Sequence, residues 1–165
     1  MRVLVLSDTH IPVAAQKLPK VIEEEAKRSQ CCLHAGDFIT YNVFQQLQGW
    51  AKVYAVYGNM DSIEVRQKLN EREVIHLEGI TIGLIHGKGA PFRLMDFIRR
   101  EFCTSEQEID IFVFGHSHCP IDKEENGKIY FNPGSPTDRV FSPHRSYGIL
   151  EIENKQIRRR LVKIE

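Results

Sequence analysis

Short apolar runs recur along the chain, and each ends abruptly in a polar or glycine-containing turn. They occupy residues 3–6, 31–33, 53–56, 80–85 and 109–114. Runs this short and this uniformly apolar are typical of strands covered on both faces, so they predict buried β-strands. Between them, apolar residues at helical spacing predict helices around residues 18–26, 43–47 and 92–102. In the last of these, the stripe expected to face the core is Phe92, Met95, Ile98 and Phe102. Strands and helices alternate, which favours an α/β fold.

The second half of the chain adds hairpin signals. Glu78-Gly79 and Asn126-Gly127 each separate two candidate strands, and residues 147–152 and 156–164 form a last strand pair. We therefore expect two mixed β-sheets packed on each other, with helices outside them. With 165 residues, 42% of them apolar, the chain is long enough for one hydrophobic core and too short for two ordinary ones. Residues 1–165 are expected to form a single domain.

The charge balance and the cysteines narrow the class of protein. Twenty-two acidic residues match twenty-two basic ones, so no overall field indicates a nucleic acid or an anionic membrane as partner. The first apolar run covers four residues, which is too short for a signal peptide or a membrane span. The four cysteines form no CxxC pair, which indicates reduced thiols, with packing roles for Cys31 and Cys32. A cytoplasmic location is the expectation.

Metal-competent side chains follow five of the predicted strands, at the point where each strand ends. They are Asp8 and His10, Asp37, Asn59, His86, and His116 with His118. In α/β sheets, the loops at the carboxyl ends of the strands converge on one crevice, where ligands bind. We therefore expect these seven side chains to lie close together and to bind metal.

The local spacing of these residues supports the same interpretation. The pairs Asp8/His10 and His116/His118 are two positions apart, and in an extended backbone that spacing directs both side chains to one side. Glycine precedes three of the ligand positions, where the missing Cβ permits a sharp turn and a close approach of the backbone. Carboxylate, imidazole and amide ligands without thiolate suit Mn²⁺, Fe or Zn²⁺, and suit Ca²⁺ less well.

The order of these motifs resembles that of a known family. D-x-H, G-D, G-N-x-D, a lone His-Gly and G-H-x-H follow one another as in the calcineurin-like metallophosphoesterase family, and they span nearly the whole chain. The segments 34–37 (His-Ala-Gly-Asp) and 132–135 (Asn-Pro-Gly-Ser) are similar to its small YfcE-type phosphodiesterase branch. Ile11-Pro12 and the segment 83–87 also resemble the retromer scaffold subunit, which has the same fold.

The resemblance implies a four-layer αββα sandwich of two mixed β-sheets flanked by helices, and a divalent-metal-dependent phosphoesterase. It implies that one ion is bound by Asp8, His10, Asp37 and His118, and the other by Asp37, Asn59, His86 and His116. Asp37 would bridge the two ions. Manganese is the expected metal, with iron, zinc, nickel and magnesium as alternatives. Two such ions activate a bridging hydroxide for in-line attack on phosphorus.

Residues expected to act in catalysis are Asp37, Asn59 and His86 as metal ligands, and Asp61 through the orientation of a histidine. Met60 departs from the family pattern, in which many relatives have a histidine that assists the leaving group. Methionine has no proton to donate. We therefore expect either a substrate whose leaving group departs easily or a proton donor from elsewhere in the chain, with a phosphodiester preferred over a monoester.

The expected partner is a small phosphate-ester substrate, a class that includes nucleotide diesters. Neither a membrane nor a nucleic acid is indicated, and the sequence leaves homo-oligomerisation open. The alternative function is a non-catalytic protein-binding scaffold of the same fold. Asp37 and Asn59 argue against it, because the retromer subunit departs from the ligand pattern at these positions.

Overall fold

The computed structural model of the chain describes residues 1–103 and 108–165, and its strands form two mixed five-stranded sheets. The first sheet contains β1 (Arg2–Leu6), β2 (Cys31–His34), β3 (Lys52–Ala55), β9 (Ser146–Glu153) and β10 (Gln156–Lys163). The second contains β4 (Arg72–Leu77), β5 (Ile80–Ile85), β6 (Ile111–Val113), β7 (Ile121–Glu125) and β8 (Lys128–Asn132).

Each sheet has a parallel centre with antiparallel strands added to it. In the order β10-β9-β1-β2-β3, the strands β1, β2 and β3 are parallel, while β9 and β10 are antiparallel to their neighbours. In the order β4-β5-β6-β8-β7, the strands β5, β6 and β8 are parallel, and β4 and β7 are antiparallel. The predicted turns at Glu78-Gly79 and Asn126-Gly127 connect the hairpins β4–β5 and β7–β8, so these predictions are confirmed.

Helices cover the outer face of each sheet. They are α1 (Lys20–Arg28), α2 (Tyr41–Gln48), α3 (Ile63–Lys68) and α4 (Leu94–Phe102). The first three pack on the first sheet and α4 packs on the second, which confirms the four-layer arrangement. The sequence pattern missed α3, because this helix has six residues and buries only Val65. Within the described ranges, no helix is long and apolar enough to cross a membrane.

Alternate residues of one strand supply two different apolar layers. In β1, Val3 and Val5 pack between the sheets, whereas Leu4 and Leu6 pack against the helices of the first sheet. All four side chains are fully buried. Burial on both faces explains why the central strands are continuous apolar runs rather than alternating ones.

The predicted stripe of the last helix was wrong at its first position. Phe92 lies in a 3₁₀ turn that precedes α4, and its side chain is 83% exposed. Ile98 and Phe102 face the core as predicted, and Leu94 is buried with them. The 3₁₀ turn rotates residue 92 away from the stripe because its side chains repeat every three residues rather than every 3.6.

Gly148 in β9 lies directly against Phe131 of the second sheet, and its substitution tests the packing between the sheets. A Cβ added there would lie 2.4 Å from Cε1 of Phe131, and Phe131 is fully buried between the sheets. Because the ring has no free space beside it, we expect Gly148→Ala to lower the free energy of unfolding by roughly 1–3 kcal/mol. Urea denaturation measures this change.

Gly49→Ala is the matched control, since the nearest atom to an added Cβ is a helical carbonyl at 3.3 Å. It should change the stability by less than about 1 kcal/mol. Equal stability of the two variants would contradict the close packing at Gly148.

Candidate metal centre

The structure brings all seven predicted ligands together at the carboxyl ends of the parallel strands. Asp8 and His10 follow β1, Asp37 follows β2, Asn59 follows β3, His86 follows β5, and His116 and His118 follow β6. Loops from the first sheet contact loops from the second through carboxylate–imidazole pairs. The site therefore lies where the two sheets meet.

One group of donor atoms comes from Asp8, His10 and His118. The Asp8 Oδ1 atom lies 3.4 Å from His118 Nε2 and 3.7 Å from His10 Nε2. Asp37 adds a second carboxylate, because its Oδ2 atom lies 3.4 Å from His10 Nε2. These four side chains form the set that the family resemblance implies for one ion.

A second group comes from Asp37, Asn59, His86 and His116. His86 Nε2 lies 3.2 Å from Asp37 Oδ2 and 3.2 Å from Asn59 Oδ1. His116 Nδ1 lies 3.0 Å from the same amide oxygen. Asp37 Oδ2 thus contacts an imidazole of each group. Asp8 Oδ1 is also 3.9 Å from His86 Nε2, so both carboxylates lie between the groups.

The spacing and chemistry of these atoms fit divalent cations. Ligands that bind one ion at about 2.1 Å, at angles of about 90–110°, are roughly 3.0–3.4 Å apart, which is the spacing of the closest pairs here. Within the described part of the chain, Asp8 Oδ1 and His10 Nε2 are buried and have no hydrogen-bond partner. Leaving such atoms unpaired is unfavourable. A bound cation would satisfy both.

At five of the seven predicted ligands, the backbone is left-handed rather than extended. The φ angle is 53° at Asp8, 42° at His10, 62° at Asp37, 69° at His116 and 56° at His118. The expectation that these pairs project from an extended backbone was therefore wrong. Residues with a Cβ rarely adopt this region, at an energy of order 1–3 kcal/mol each, and such strain concentrates at functional sites.

The predicted close approach of the backbone at the glycines agrees with the structure. A Cβ on Gly58 would lie 2.1 Å from Asp37 Oδ1, and one on Gly115 would lie 1.7 Å from Ser7 Oγ. The space at Gly115 matters because Ser7 Oγ donates a 2.6 Å hydrogen bond to Asp8 Oδ2. Glycine therefore lets the loop after β6 lie directly on the loop after β1.

Asp61 does not have the role that the sequence predicted. Its carboxylate accepts hydrogen bonds from the backbone N–H groups of Asp37 (2.9 Å), Ile39 (2.8 Å) and Gly58 (2.7 Å). Among the described residues its partners are backbone groups and no histidine, so the predicted orientation of a histidine was wrong. Asp61 instead ties the loop after β2 to the loop after β3.

Asp138 performs the orienting role that was assigned to Asp61. Its Oδ2 atom accepts a short hydrogen bond from His118 Nδ1, and its Oδ1 atom accepts from the N–H groups of Val140 (2.8 Å) and Phe141 (3.2 Å). Sequence analysis missed it because Asp138 follows His118 by 20 residues. A usable signal was present, because Asp138 is an acidic residue three positions after the segment 132–135. That segment lies at the site, since Ser135 Oγ donates a 2.7 Å hydrogen bond to the Asp8 carbonyl.

The carboxylates and imidazoles of the site shift one another's pKa values. Burial by itself would raise the pKa of Asp8 and of Asp37. The imidazoles of His10, His118 and His86 nevertheless lower the pKa of Asp8 below its ordinary range, and His86 together with the Met60 backbone N–H lowers the pKa of Asp37. Burial by itself would lower the pKa of His86 and His118, but the facing carboxylates raise each pKa to about 9. In this form the site is a cluster of carboxylates and imidazolium groups.

His34 is the last residue of β2 and is fully buried. Burial lowers its pKa to about 3, so the ring is neutral. Its Nδ1 atom accepts a hydrogen bond from the N–H of Gly36, and its Nε2 atom lies 3.2 Å from Thr9 Oγ1. It supports the loops that carry the ligands without pointing at the cations' position.

Five of the seven predicted ligands line a cavity of about 770 Å³, whereas Asp8 and His86 are not part of its lining. These five, here called the base, are His10, Asp37, Asn59, His116 and His118, and the apolar wall includes Val13, Met60, Val140 and Phe141. This volume is within the usual range for small-molecule sites.

Comparison with known sequences establishes the family. Residues 1–155 match the calcineurin-like phosphoesterase superfamily domain. A probable metallophosphoesterase of Methanocaldococcus jannaschii is 32% identical over 165 residues, and the alignment covers 100% of this chain and 82% of that protein. The chain belongs to the calcineurin-like phosphoesterase superfamily, whose members depend on divalent metal. These relatives support a hydrolase that acts on phosphate esters.

Two solved structures show how widely this fold is used. A Thermotoga maritima protein solved by NMR has a TM-score of 0.77 and 32% identity, with 99% of each chain covered. Vps29 of Entamoeba histolytica, solved as a complex with Zn²⁺, has a TM-score of 0.75 and 28% identity, again with 99% of each chain covered.

The raised histidine pKa values predict how the metal-free protein responds to pH. His86 and His118 titrate near 9 in the folded chain and near ~6.5 when unfolded. The folded state therefore binds more protons between these values, and this stabilisation is complete below pH ~6.5 and is lost as the pH rises through about 9. We expect the Tm of chelator-treated protein to fall across this range.

The Mn²⁺-loaded protein is the control for this prediction. Its Tm should fall much less over the same range, because bound cations replace the protons at both imidazoles. A Tm of the metal-free protein that stays constant or rises with pH would contradict the predicted cluster.

Proposed function

We propose that this chain is a phosphodiesterase that depends on two divalent ions, with manganese as the working metal. The observation that carries the proposal is the sharing of Asp37 Oδ2, which lies 3.4 Å from His10 Nε2 and 3.2 Å from His86 Nε2. The proposed ligand sets are Asp8, His10, Asp37 and His118 for one ion, and Asp37, Asn59, His86 and His116 for the other. When bound, the ions supply Lewis acidity toward phosphate and lower the pKa of water.

The contacts of the imidazoles prepare them to bind cations. The Nδ1 atom of His86 lies 2.7 Å from the Ala35 carbonyl, so it donates there and leaves Nε2 as an acceptor that faces the site. Asp138 fixes His118 in the same way, because it accepts from Nδ1. Asn59 contributes a neutral amide oxygen, which limits the negative charge around the ions.

The preference for a diester rests on the family resemblance and on the residue at position 60. The side chain of Met60 lines the cavity beside the ligands, and its backbone N–H donates a 2.7 Å hydrogen bond to Asp37 Oδ1. Methionine cannot protonate a leaving oxygen, so the position favours substrates whose leaving group is stable as an anion. Asp61 acts as a positioning residue that holds the loops of Asp37 and Asn59 together.

The second candidate function is a non-catalytic protein-binding scaffold. The similarity to Vps29 favours it, as do the exposed apolar side chains around the cavity. The complete set of ligand side chains favours catalysis, because a scaffold has no need for two buried carboxylates that face five imidazole and amide groups. Hydrolysis of a phosphate ester decides between the two.

The full chain loaded with Mn²⁺ is therefore expected to bind two ions and to hydrolyse bis(4-nitrophenyl) phosphate faster than 4-nitrophenyl phosphate. Elemental analysis measures the stoichiometry, and release of 4-nitrophenolate measures turnover. Saturation at one ion per chain would contradict the binuclear site. Two bound ions without hydrolysis of either ester would favour the scaffold.

Substitution of Asp37, the shared carboxylate, should lower metal occupancy and turnover more than substitution of a ligand to one ion. Asp37→Asn keeps the oxygen that accepts the Met60 N–H but removes the charge seen by both cations. We expect it to lower both metal occupancies and to reduce turnover by at least about 100-fold. His10→Ala should weaken only one of the two ions.

Titration of Mn²⁺ into both variants, followed by calorimetry, resolves the two sites. If Asp37→Asn retained two tightly bound ions while His10→Ala lost both, Asp37 would not be the bridge.

A further inference from the structure

Large apolar side chains are exposed around the mouth of the metal centre. Among the described residues, the exposed fraction is 73% for Val13, 54% for Met60, 79% for Val140 and 76% for Phe141. All four line the same cavity. Exposed apolar groups gathered in one place usually mark a binding surface, and here they surround a polar base.

This apolar wall is joined directly to the residues proposed to bind the ions. The ring of Phe141 lies edge to face with the ring of His118, with centroids 6.3 Å apart. The backbone of Val140 and Phe141 is held by Asp138, the same carboxylate that orients His118. Met60 is joined to the ligands as well, because its backbone N–H donates to Asp37 Oδ1. The wall and the metal ligands therefore form one connected unit.

The geometry limits what can occupy the cavity. A phosphate at the base would direct its ester groups outward, between Met60 and Phe141. Phe141 offers an aromatic ring that favours stacked or edge-to-face partners, and Met60 offers a flexible sulfur side chain that packs well against rings. The lining also includes Asp138, Arg139 and Ser117, but the Asp138 carboxylate is already occupied by His118 Nδ1 and by two backbone N–H groups.

We propose that Met60, Val140 and Phe141 form a subsite for a flat aromatic ester group of the substrate. The inference rests on the proposed function, because it places the phosphate at the metal centre. In this arrangement Met60 binds the organic group of the ester, at the position where many family members have a histidine. The shared chemistry is an aromatic ring in an ester group of the phosphate, bonded directly to the ester oxygen in an aryl ester and linked to it through a sugar in a nucleoside ester.

Binding of two phosphonates to the Mn²⁺-loaded chain tests the subsite without requiring turnover. Isothermal titration should show phenylphosphonate bound about tenfold or more tightly than methylphosphonate, because the ring is buried against apolar side chains. Phe141→Ser should reduce this ratio to about threefold or less. Phe92→Ser is the matched control, since Phe92 is 83% exposed and lies outside the cavity lining, and it should keep the ratio of the natural chain.

Equal affinities for the two phosphonates in the natural chain would overturn the subsite, as would absence of binding by both. A ratio unaffected by Phe141→Ser, or reduced equally by Phe92→Ser, would also overturn it. An aromatic preference that depends on Phe141 supports the subsite even if no ester is hydrolysed, in which case only the proposed catalysis fails.

Turnover gives a second readout with the leaving group held constant. Phenyl 4-nitrophenyl phosphate and methyl 4-nitrophenyl phosphate both release 4-nitrophenolate, so their comparison isolates the other ester group. We expect the ratio of their kcat/KM values to fall by about tenfold in Phe141→Ser and to stay constant in Phe92→Ser. Hydrolysis of both esters with no dependence on residue 141 would leave the phosphodiesterase intact and overturn the subsite.

Discussion

Two carboxylates, those of Asp8 and Asp37, are buried where the two sheets meet, and their charge has to be balanced by groups from both sheets. Both come from the first sheet, whereas His86 and His118 come from the second. The resulting pairs are 3.2–3.9 Å long. Because unpaired buried charge is strongly unfavourable, the electrostatics of the site and the packing of the sandwich depend on each other.

The loops reach this arrangement through backbone conformations that an isolated peptide would avoid. Five ligands have left-handed φ angles, and hydrogen bonds hold them there. Asp61 accepts three backbone N–H groups, which joins the loops of Asp37 and Asn59. Asp138 accepts from His118 Nδ1 and from the Val140 N–H, which ties His118 to the loop that contains Asp138. The donor atoms are therefore positioned by the protein itself, so that a cation bound there would require little reorganisation.

The same loops expose apolar side chains above a polar base. A concave, apolar wall around charged ligands suits a small organic phosphate, since the ring and the phosphate are recognised by different layers of one cavity. The proposed substrate would contact both layers, whereas a flat partner surface would contact the apolar wall alone.

The sequence by itself determined the strand runs, the order of the elements, the hairpin turns and the identity of the residues that gather at the strand ends. These features are local: apolar runs report burial on both faces, and the chemistry of Asp, His and Asn is independent of the fold. The tertiary structure alone decided the left-handed backbone at Asp8 and His116, the backbone partners of Asp61, the pairing of Asp138 with His118, and the exposure of Phe92. Each of these depends on contacts between segments that are distant along the chain, or on a turn geometry that packing selects, and no local pattern of apolar and polar residues records such contacts.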